Sequence, residues 1–174
     1  MKKKKKTQEI HLELPSSAIK YYRHGWQSWS LTTWQGVNQR VPTPKPKILH
    51  PLQTDPRYVH ETRPHGSWVG VVEMENGNYL LLGALSLDAH IFLEKNTLIG
   101  KYENEAGDWF IAEGSKKEVF EQYANALKKV LGVFKTPSNS PPPKIWCSWY
   151  SFYSEPQCQD HKMTKLRWIN ESGD

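Results

Sequence analysis

The fold is decided by one stretch, SWVGVVEMENGNYLLLGALSL at residues 67–87. Two apolar runs, residues 67–74 and 79–87, are separated there by four polar or glycine residues that include Asn76 and Gly77. Asn-Gly between two such runs is the strongest short-range signal for a β-hairpin, because a type I′ turn needs positive φ at both central residues. The sequence therefore predicts two antiparallel strands joined by a type I′ turn.

Shorter strand patterns lie on both sides of this hairpin. Toward the amino terminus, Ile10, Leu12 and Leu14 alternate with polar residues, which is the pattern of a strand with one buried face. Toward the carboxyl terminus, further short runs separated by polar or glycine-containing breaks cover residues 89–94, 97–103 and 108–113. This spacing is typical of an antiparallel sandwich. We therefore predict a mainly β fold, an antiparallel β-sandwich, over residues 9–135.

One helix is predicted at the end of the sandwich. Ser115 and Glu118 form an S-x-x-E capping box, in which each side chain satisfies a free backbone amide of the first turn. Apolar residues then recur at helical spacing, at Val119, Phe120, Tyr123, Ala126, Leu127, Val130 and Leu131. The helix is expected to cover residues 115–132, to pack one face on the sheet and to end near Gly132.

A domain boundary is predicted after the helix. Residues 136–143, TPSNSPPP, combine turn-forming residues with a final run of three prolines, which lack a backbone donor and hold φ near about −65°. Immediately beyond them, KIWCSWY at residues 144–150 has the composition of a buried strand. We therefore place a linker at 136–143 and a second domain at 144–174. Residues 32–64, which contain six prolines, are expected to be a long loop.

The positive charge is confined to the amino terminus. The formal charge is +5 at pH 7, from 23 Lys and Arg against 18 Asp and Glu. Without the five lysines at residues 2–6, 23 − 5 = 18 basic residues balance the 18 acidic ones. Like-charge runs at a chain end are usually solvated, so residues 1–8 are interpreted as a flexible tail that is dispensable for folding. Nucleic acid is therefore not an expected partner.

Targeting, membrane and metal signals are weak. Residues 7–20 contain no apolar segment of the length found in signal peptides, and no apolar stretch approaches the roughly 20 residues of a membrane helix. Two cysteines, Cys147 and Cys158, form neither a disulfide framework nor a metal set. We expect a cytoplasmic protein without membrane partner, metal or cofactor. His50, His60 and His65 lack ligand spacing and are interpreted as solvated loop histidines.

Aromatic residues concentrate in two short segments. Three of the eight tryptophans lie in YYRHGWQSWSLTTWQ at residues 21–35, and WCSWYSFY at residues 146–153 holds two more. Tryptophan often belongs to a core, but a sugar ring can also stack its apolar C–H face on an indole while neighbouring polar groups bind its hydroxyls. Strand alternation would place Trp26 and Trp29 on opposite faces, so the tryptophans of this segment cannot all be core residues.

Together these segments resemble a known enzyme family. GWQSWS at residues 25–30 resembles the sandwich-domain motif of the family 36 α-galactosidases, and WCSWYSFY resembles the motif that opens their catalytic β/α (TIM) barrel. The order of sandwich, helix and proline-rich join also matches, over roughly residues 10–155. The resemblance implies a sandwich of the supersandwich type, followed by the first strand of such a barrel. Ile145 replaces the usual Gly before the motif's first Trp, which alters the packing of that strand.

The resemblance also implies which residues bind substrate. In the family, the second Trp of the sandwich motif reaches into the galactose pocket, and the Trp-Tyr pair that ends the first barrel strand lines it. These roles fall on Trp29, Trp149 and Tyr150, whereas Trp26 and Trp146 are interpreted as packing residues. Such enzymes hydrolyse terminal α-galactosides with retention, through two aspartates on later barrel strands. No residue of this chain is therefore expected to be catalytic.

The chain departs from the family after residue 155, where it reads PQCQDHKMTKLRWINESGD without a sustained helical period. We therefore expect a truncated or frame-shifted barrel and a chain that is inactive alone. The sequence specifies neither the natural galactoside nor the oligomeric state. Two alternatives stay open: a non-catalytic carbohydrate-binding module that uses Trp29, and a basic-tailed nucleic-acid binder.

Overall fold

A computed structural model describes residues 2–27, 30–39 and 54–132. Within these residues the chain forms ten strands and one α-helix. The strands before the central hairpin are β1 Lys2–Thr7, β2 Glu9–Glu13, β3 Ala18–Arg23, β4 Thr33–Gly36 and β5 His65–Ser67. The others are β6 Val69–Met74, β7 Tyr79–Ala84, β8 Ala89–Glu94, β9 Thr97–Tyr102 and β10 Gly107–Gly114. A 3-10 helix, Pro56–Tyr58, precedes β5, and helix α1, Lys116–Leu131, follows β10.

The strands form two antiparallel sheets. The six-stranded sheet has the order β1-β10-β7-β6-β3-β4, and the four-stranded sheet has the order β2-β9-β8-β5. The predicted antiparallel sandwich is confirmed, and the runs at 89–94, 97–103 and 108–113 correspond to β8, β9 and β10. Two of the places where the chain changes sheet lie between β5 and β6 and between β7 and β8. These two crossings position the candidate site described below.

The six-stranded sheet is covered on both faces. On one face it packs against the four-stranded sheet around Trp109 and Tyr102, whose ring centroids are 4.4 Å apart. On the other face Phe110 packs against Tyr123 of α1. Because successive residues of a strand point to opposite faces, a strand covered on both sides needs apolar residues at nearly every position. This explains the continuous apolar run in the second half of the stretch at 67–87.

The central hairpin is confirmed, but its turn differs from the predicted one. The Gly77 amide donates to the Met74 carbonyl at 2.9 Å, and the Met74 amide donates to the Asn78 carbonyl at 2.9 Å. Gly77 has φ of 78°, whereas the φ of Asn76 is not positive. The connection is therefore a three-residue loop, a type I turn followed by a left-handed glycine, rather than type I′. The Asn76 side chain stabilises it by accepting from the Asn78 amide at 3.0 Å.

Helix α1 begins at the predicted capping box. The Ser115 hydroxyl accepts from the Glu118 amide, and the Glu118 carboxylate accepts from the Ser115 amide at 3.0 Å. Gly132 lies at the end of the helix with φ of 84°, a conformation that glycine adopts without strain. The helix prediction is therefore confirmed. No helix in the described residues is long and apolar enough to cross a bilayer.

The lysine run forms an edge strand rather than a flexible tail. β1 pairs with β10 along its whole length and lies at one edge of the six-stranded sheet. The side chains of Lys4, Lys5 and Lys6 are exposed, so backbone hydrogen bonds hold the strand. The Trp109 indole Nε1 adds a bond to the Thr7 carbonyl at 3.0 Å. The flexible tail expected at 1–8 followed from the solvation of like charges, but an edge strand can keep its charged side chains in water because it needs only its backbone ladder.

The long loop expected at 32–64 contains regular structure. β4 and the 3-10 helix both lie inside this range. Trp34 of β4 packs against Tyr22 and Tyr79, with ring centroids 5.4 and 5.8 Å away, which explains why a strand forms there. Residues 133–174 lie outside the described part of the chain, so the linker at 136–143 and the barrel strand at 144–150 stay predictions.

Candidate functional site

A cleft of about 260 Å³ opens where the two sheet crossings meet the loop after β3. Its aromatic side is formed by the loop after β3 and by the first crossing, and its charged side by the segment at 54–58 and the second crossing. The side chains that matter most here are His24, Trp26, Asp55, Arg57, Trp68 and Asp88.

Trp68 is the single residue between β5 in one sheet and β6 in the other. Its φ is 65°, a left-handed conformation that is rare for a bulky residue. Its amide donates to the Ala89 carbonyl at 3.0 Å, and its carbonyl accepts from the Ala84 amide at 2.7 Å. A strained backbone conformation is retained only where surrounding contacts hold it in place, and these two hydrogen bonds do so at Trp68. The indole is left 46% exposed at the cleft.

The second crossing is built in a similar way. Asp88 also has a left-handed φ, 60°, between β7 and β8. Its carbonyl accepts from the Glu103 amide at 2.9 Å, and its carboxylate accepts from the Asn104 side chain at 3.0 Å. Both crossings thus combine an unusual backbone conformation with bonds that fix it. Asp88 is thereby held at the cleft with its carboxylate about half exposed.

The loop after β3 is held close to β5. The Ser67 amide donates to the His24 carbonyl at 2.9 Å. A Cβ at Gly66 would lie 2.8 Å from the backbone nitrogen and oxygen of His24, so only glycine permits this approach. The His24 ring lies nearly parallel to the Trp68 indole, at 9° and with centroids 6.3 Å apart. The glycine therefore brings the loop and the first crossing together at the cleft.

Trp26 is an exposed cleft residue rather than a packing residue. Its side chain is 43% exposed, and residues 24–27 form no strand, so the alternation expected for this segment does not apply. Trp29, the predicted galactose-binding residue of the same motif, lies outside the described residues. Trp149 and Tyr150 lie outside them as well, so all three site assignments stay predictions.

An ion pair forms the charged side of the cleft. The Asp55 carboxylate accepts from the Arg57 amide at 3.0 Å and from the guanidinium Nη2 at 2.6 Å. Burial opposes ionisation of Asp55, which is 3% exposed, but the bonds and charge of Arg57 hold its pKa below the ordinary value. The bond to Asp55 in turn raises the pKa of Arg57. Arg57 Nη2 also lies 3.6 Å from the Asp88 carboxylate, so one cation serves two carboxylates.

Two buried histidines lie beside this ion pair. His65 Nδ1 and His90 Nε2 are 2.7 Å apart, and the Tyr58 ring stacks on His90 with centroids 3.9 Å apart. Burial lowers the pKa of both histidines, so the pair is neutral and one ring donates to the other. His65, interpreted from the sequence as a solvated loop residue, is 2% exposed in β5. No group of three metal-ligating side chains occurs in the described residues.

This arrangement is suited to recognition rather than to proton transfer. The cleft combines two half-exposed indoles with carboxylates already bound to a guanidinium. A general acid needs a raised pKa, whereas the pKa of Asp55 is lowered. Sequence reasoning missed Trp68, Asp55 and Arg57 because each depends on a crossing or loop that brings distant segments together. The one available signal was an additional tryptophan next to the glycine of HGSW at residues 65–68.

The fold is that of a domain found in glycosidases of the α-galactosidase class. The particular match is TtGalA, the α-galactosidase from Thermus thermophilus, solved in complexes with p-nitrophenyl α-D-galactopyranoside and with stachyose. Each structure matches with a TM-score of 0.71 and 37% identity over 86% of this chain. The chain spans 30% and 31% of those two chains. The assignment to family 36 is consistent with this similarity. Scans of family models and of curated proteins gave no match.

Proposed function

We propose that this chain is the amino-terminal part of an α-galactosidase, which as a whole enzyme removes terminal α-linked galactose with retention. The observation that carries the proposal is the 37% identity to TtGalA over 86% of the chain, together with the shared fold. TtGalA was solved with a synthetic α-galactoside and with stachyose, so galactosides and oligosaccharides are the proposed substrate class.

The proposed galactose-binding residues are Trp29, Trp149 and Tyr150. Their places in the two aromatic motifs support this assignment. Trp26, three residues before Trp29, opens on the cleft, which supports a site at this end of the sandwich. An indole at Trp29 would stack on the apolar face of galactose. The pair at 149–150 would line the pocket from the carboxyl end of a barrel strand, where such active sites lie.

The chain alone is proposed to be inactive. A β/α barrel takes about 250 residues for eight units, or about 31 for each unit. Residues 144–174 number 174 − 143 = 31, enough for one such unit. Retention requires two carboxylates about 5–5.5 Å apart, one as nucleophile and one as proton donor. In the family these aspartates come from later strands, and aromatic stacking alone binds the ground state and the transition state similarly.

The test is a chimera in which residues 1–155 replace the matching segment of TtGalA. We expect the folded chimera to hydrolyse p-nitrophenyl α-D-galactopyranoside, and the 174-residue chain to show no turnover above a heat-inactivated control. Trp29→Ala in the chimera should lower kcat/KM by about tenfold or more, the equivalent of about 1.4 kcal/mol. Val130→Ala, an exposed change on α1, should leave it unchanged.

Two results would contradict the proposal. Turnover by the 174-residue chain alone would show that its own carboxylates are catalytic. A folded but inactive chimera that still binds galactosides would favour the alternative, a non-catalytic carbohydrate-binding sandwich. Circular dichroism and a cooperative thermal transition establish that the chimera is folded, so inactivity cannot be ascribed to misfolding.

A further inference from the structure

The cleft at Trp26 and Trp68 is lined by none of the residues proposed to bind galactose. Both indoles are nearly half exposed, and the exposed side chain of Leu87 lies beside them. Large apolar side chains that are exposed together in one concave place mark a binding site more often than scattered ones do. The cleft is therefore a candidate site in its own right.

The charges of the cleft disfavour an anionic ligand. Arg57 is bonded to Asp55 and lies 3.6 Å from Asp88, so its positive charge is already shared between two carboxylates and an anion would find no unpaired cation there. A purely apolar ligand would strip water from this ion pair without replacing its hydrogen bonds, which is unfavourable. A ligand with one apolar face and several hydroxyls satisfies both sides of the cleft. A pyranose ring has this chemistry.

The size of the cleft limits how much of a saccharide it can hold. Its volume of about 260 Å³ is below the roughly 300–1,000 Å³ of sites for drug-sized ligands. The cleft can therefore enclose about one ring, while the rest of an oligosaccharide stays outside it. The polar atoms within reach of such a ring are the half-exposed carboxylate of Asp88 and the exposed part of Arg57.

The backbone of Trp68 is a second, independent observation. A left-handed bulky residue is strained, and glycine would fit its φ of 65° without strain. Strained residues that the surroundings hold in place cluster at binding sites. A tryptophan at this position places an indole at the crossing between the sheets, fixed by the two backbone bonds to Ala84 and Ala89. The indole is thus positioned before any ligand arrives.

We propose that Trp26 and Trp68 form a second carbohydrate site, which stacks one neutral pyranose ring of an oligosaccharide and binds its hydroxyls through Asp88 and Arg57. None of its residues is among those proposed to bind galactose. Its affinity is low, with a Kd of about 1 mM, since it holds a single ring in an open cleft.

The test titrates raffinose into the 174-residue chain carrying 15N-labelled tryptophan, and follows the indole N–H signals by NMR. We expect saturable shifts, with the largest at the signals that disappear in Trp26→Phe and Trp68→Phe. Trp68→Ala and Trp26→Ala should each weaken raffinose binding by about tenfold or more. The exposed helix change Val130→Ala should leave the affinity unchanged.

Two results would overturn the proposal: no saturable shift up to about 50 mM raffinose, or binding that survives both alanine changes. Trp68→Gly, which suits the left-handed backbone, provides a second folded variant should alanine disturb the crossing. The outcome is separate from that of the hydrolysis test, since raffinose binding by this chain requires no catalytic barrel.

Discussion

Two tryptophans, Trp109 in the sandwich interior and Trp68 at the sheet crossing, lie in regions that are built in opposite ways. Trp109 is completely buried in a regular strand, and its indole nitrogen donates to the Thr7 carbonyl. Trp68 is 46% exposed, in a left-handed conformation between two strands. In the interior the indole is buried and the strand backbone is unstrained. At the crossing the backbone is held in a strained conformation and the indole remains exposed to solvent.

The difference separates stability from recognition in this molecule. A buried indole contributes through area removed from water, which is roughly 25 cal/mol per Å² of apolar surface. An exposed indole contributes little of this to folding, so its surface can still be buried by a ligand. Substitutions in the interior should therefore change the free energy of unfolding, whereas substitutions at the crossing should change the affinity for a ligand.

The largest expected effect is that of Trp109→Ala. Removing this side chain leaves a cavity against Tyr102 and should cost about 3–5 kcal/mol of unfolding free energy. Trp68→Ala removes an exposed ring and should cost less than about 1 kcal/mol. Urea denaturation followed by circular dichroism measures both changes. Similar losses for the two variants would contradict the separation of the two regions.

The next effect is a loss of stability in mild acid. Burial lowers the pKa of His65 to about 4 and of His90 to about 3, below the ordinary 6.5. The unfolded state therefore binds more protons than the folded state. The stability that depends on keeping both histidines neutral is fully present above about pH 6.5 and is lost as the pH falls toward 4. We expect unfolding free energy to fall by about 2 kcal/mol for each of the two histidines between pH 7 and pH 5, above the range where most carboxylates titrate.

His90→Gln is the matched variant for this measurement. Glutamine keeps a hydrogen-bonding group beside His65 but does not titrate. The fall in unfolding free energy between pH 7 and pH 5 should therefore be smaller in this variant, even if its stability at pH 7 is lower. An unchanged pH slope would show that the histidine pair is not the origin of the acid sensitivity.

The smallest effect is expected from the edge strand. Deleting residues 2–7 removes the backbone partners of β10 and the acceptor of the Trp109 indole, while water can replace both at the newly exposed edge. We expect a loss of about 1–2 kcal/mol. The variant Lys4→Thr/Lys6→Thr keeps the backbone ladder and should be as stable as the unmodified chain. A deletion without any loss of stability would restore the interpretation of these residues as a dispensable tail.

The elements that could be predicted from the sequence are those determined by residues close together in the chain. The hairpin at Asn76 and Gly77 and the capping box at Ser115 are read from neighbouring residues, and both form. β1 could not be predicted, because its stability comes from pairing with β10 about a hundred residues away. The cleft could not be predicted for the same reason. Trp26 and Trp68 are 42 residues apart in the sequence and meet only through the close approach at Gly66.

The charged edge strand also bears on how copies of this chain meet in solution. An uncovered sheet edge can pair with the same edge of another molecule and start aggregation. Such pairing would bring two β1 strands about 4.8 Å apart. That spacing is shorter than the roughly 8 Å over which physiological salt screens charge, so Lys4, Lys5 and Lys6 of the two copies would repel each other. The six-stranded sheet can therefore end at an open backbone edge and still resist self-association there.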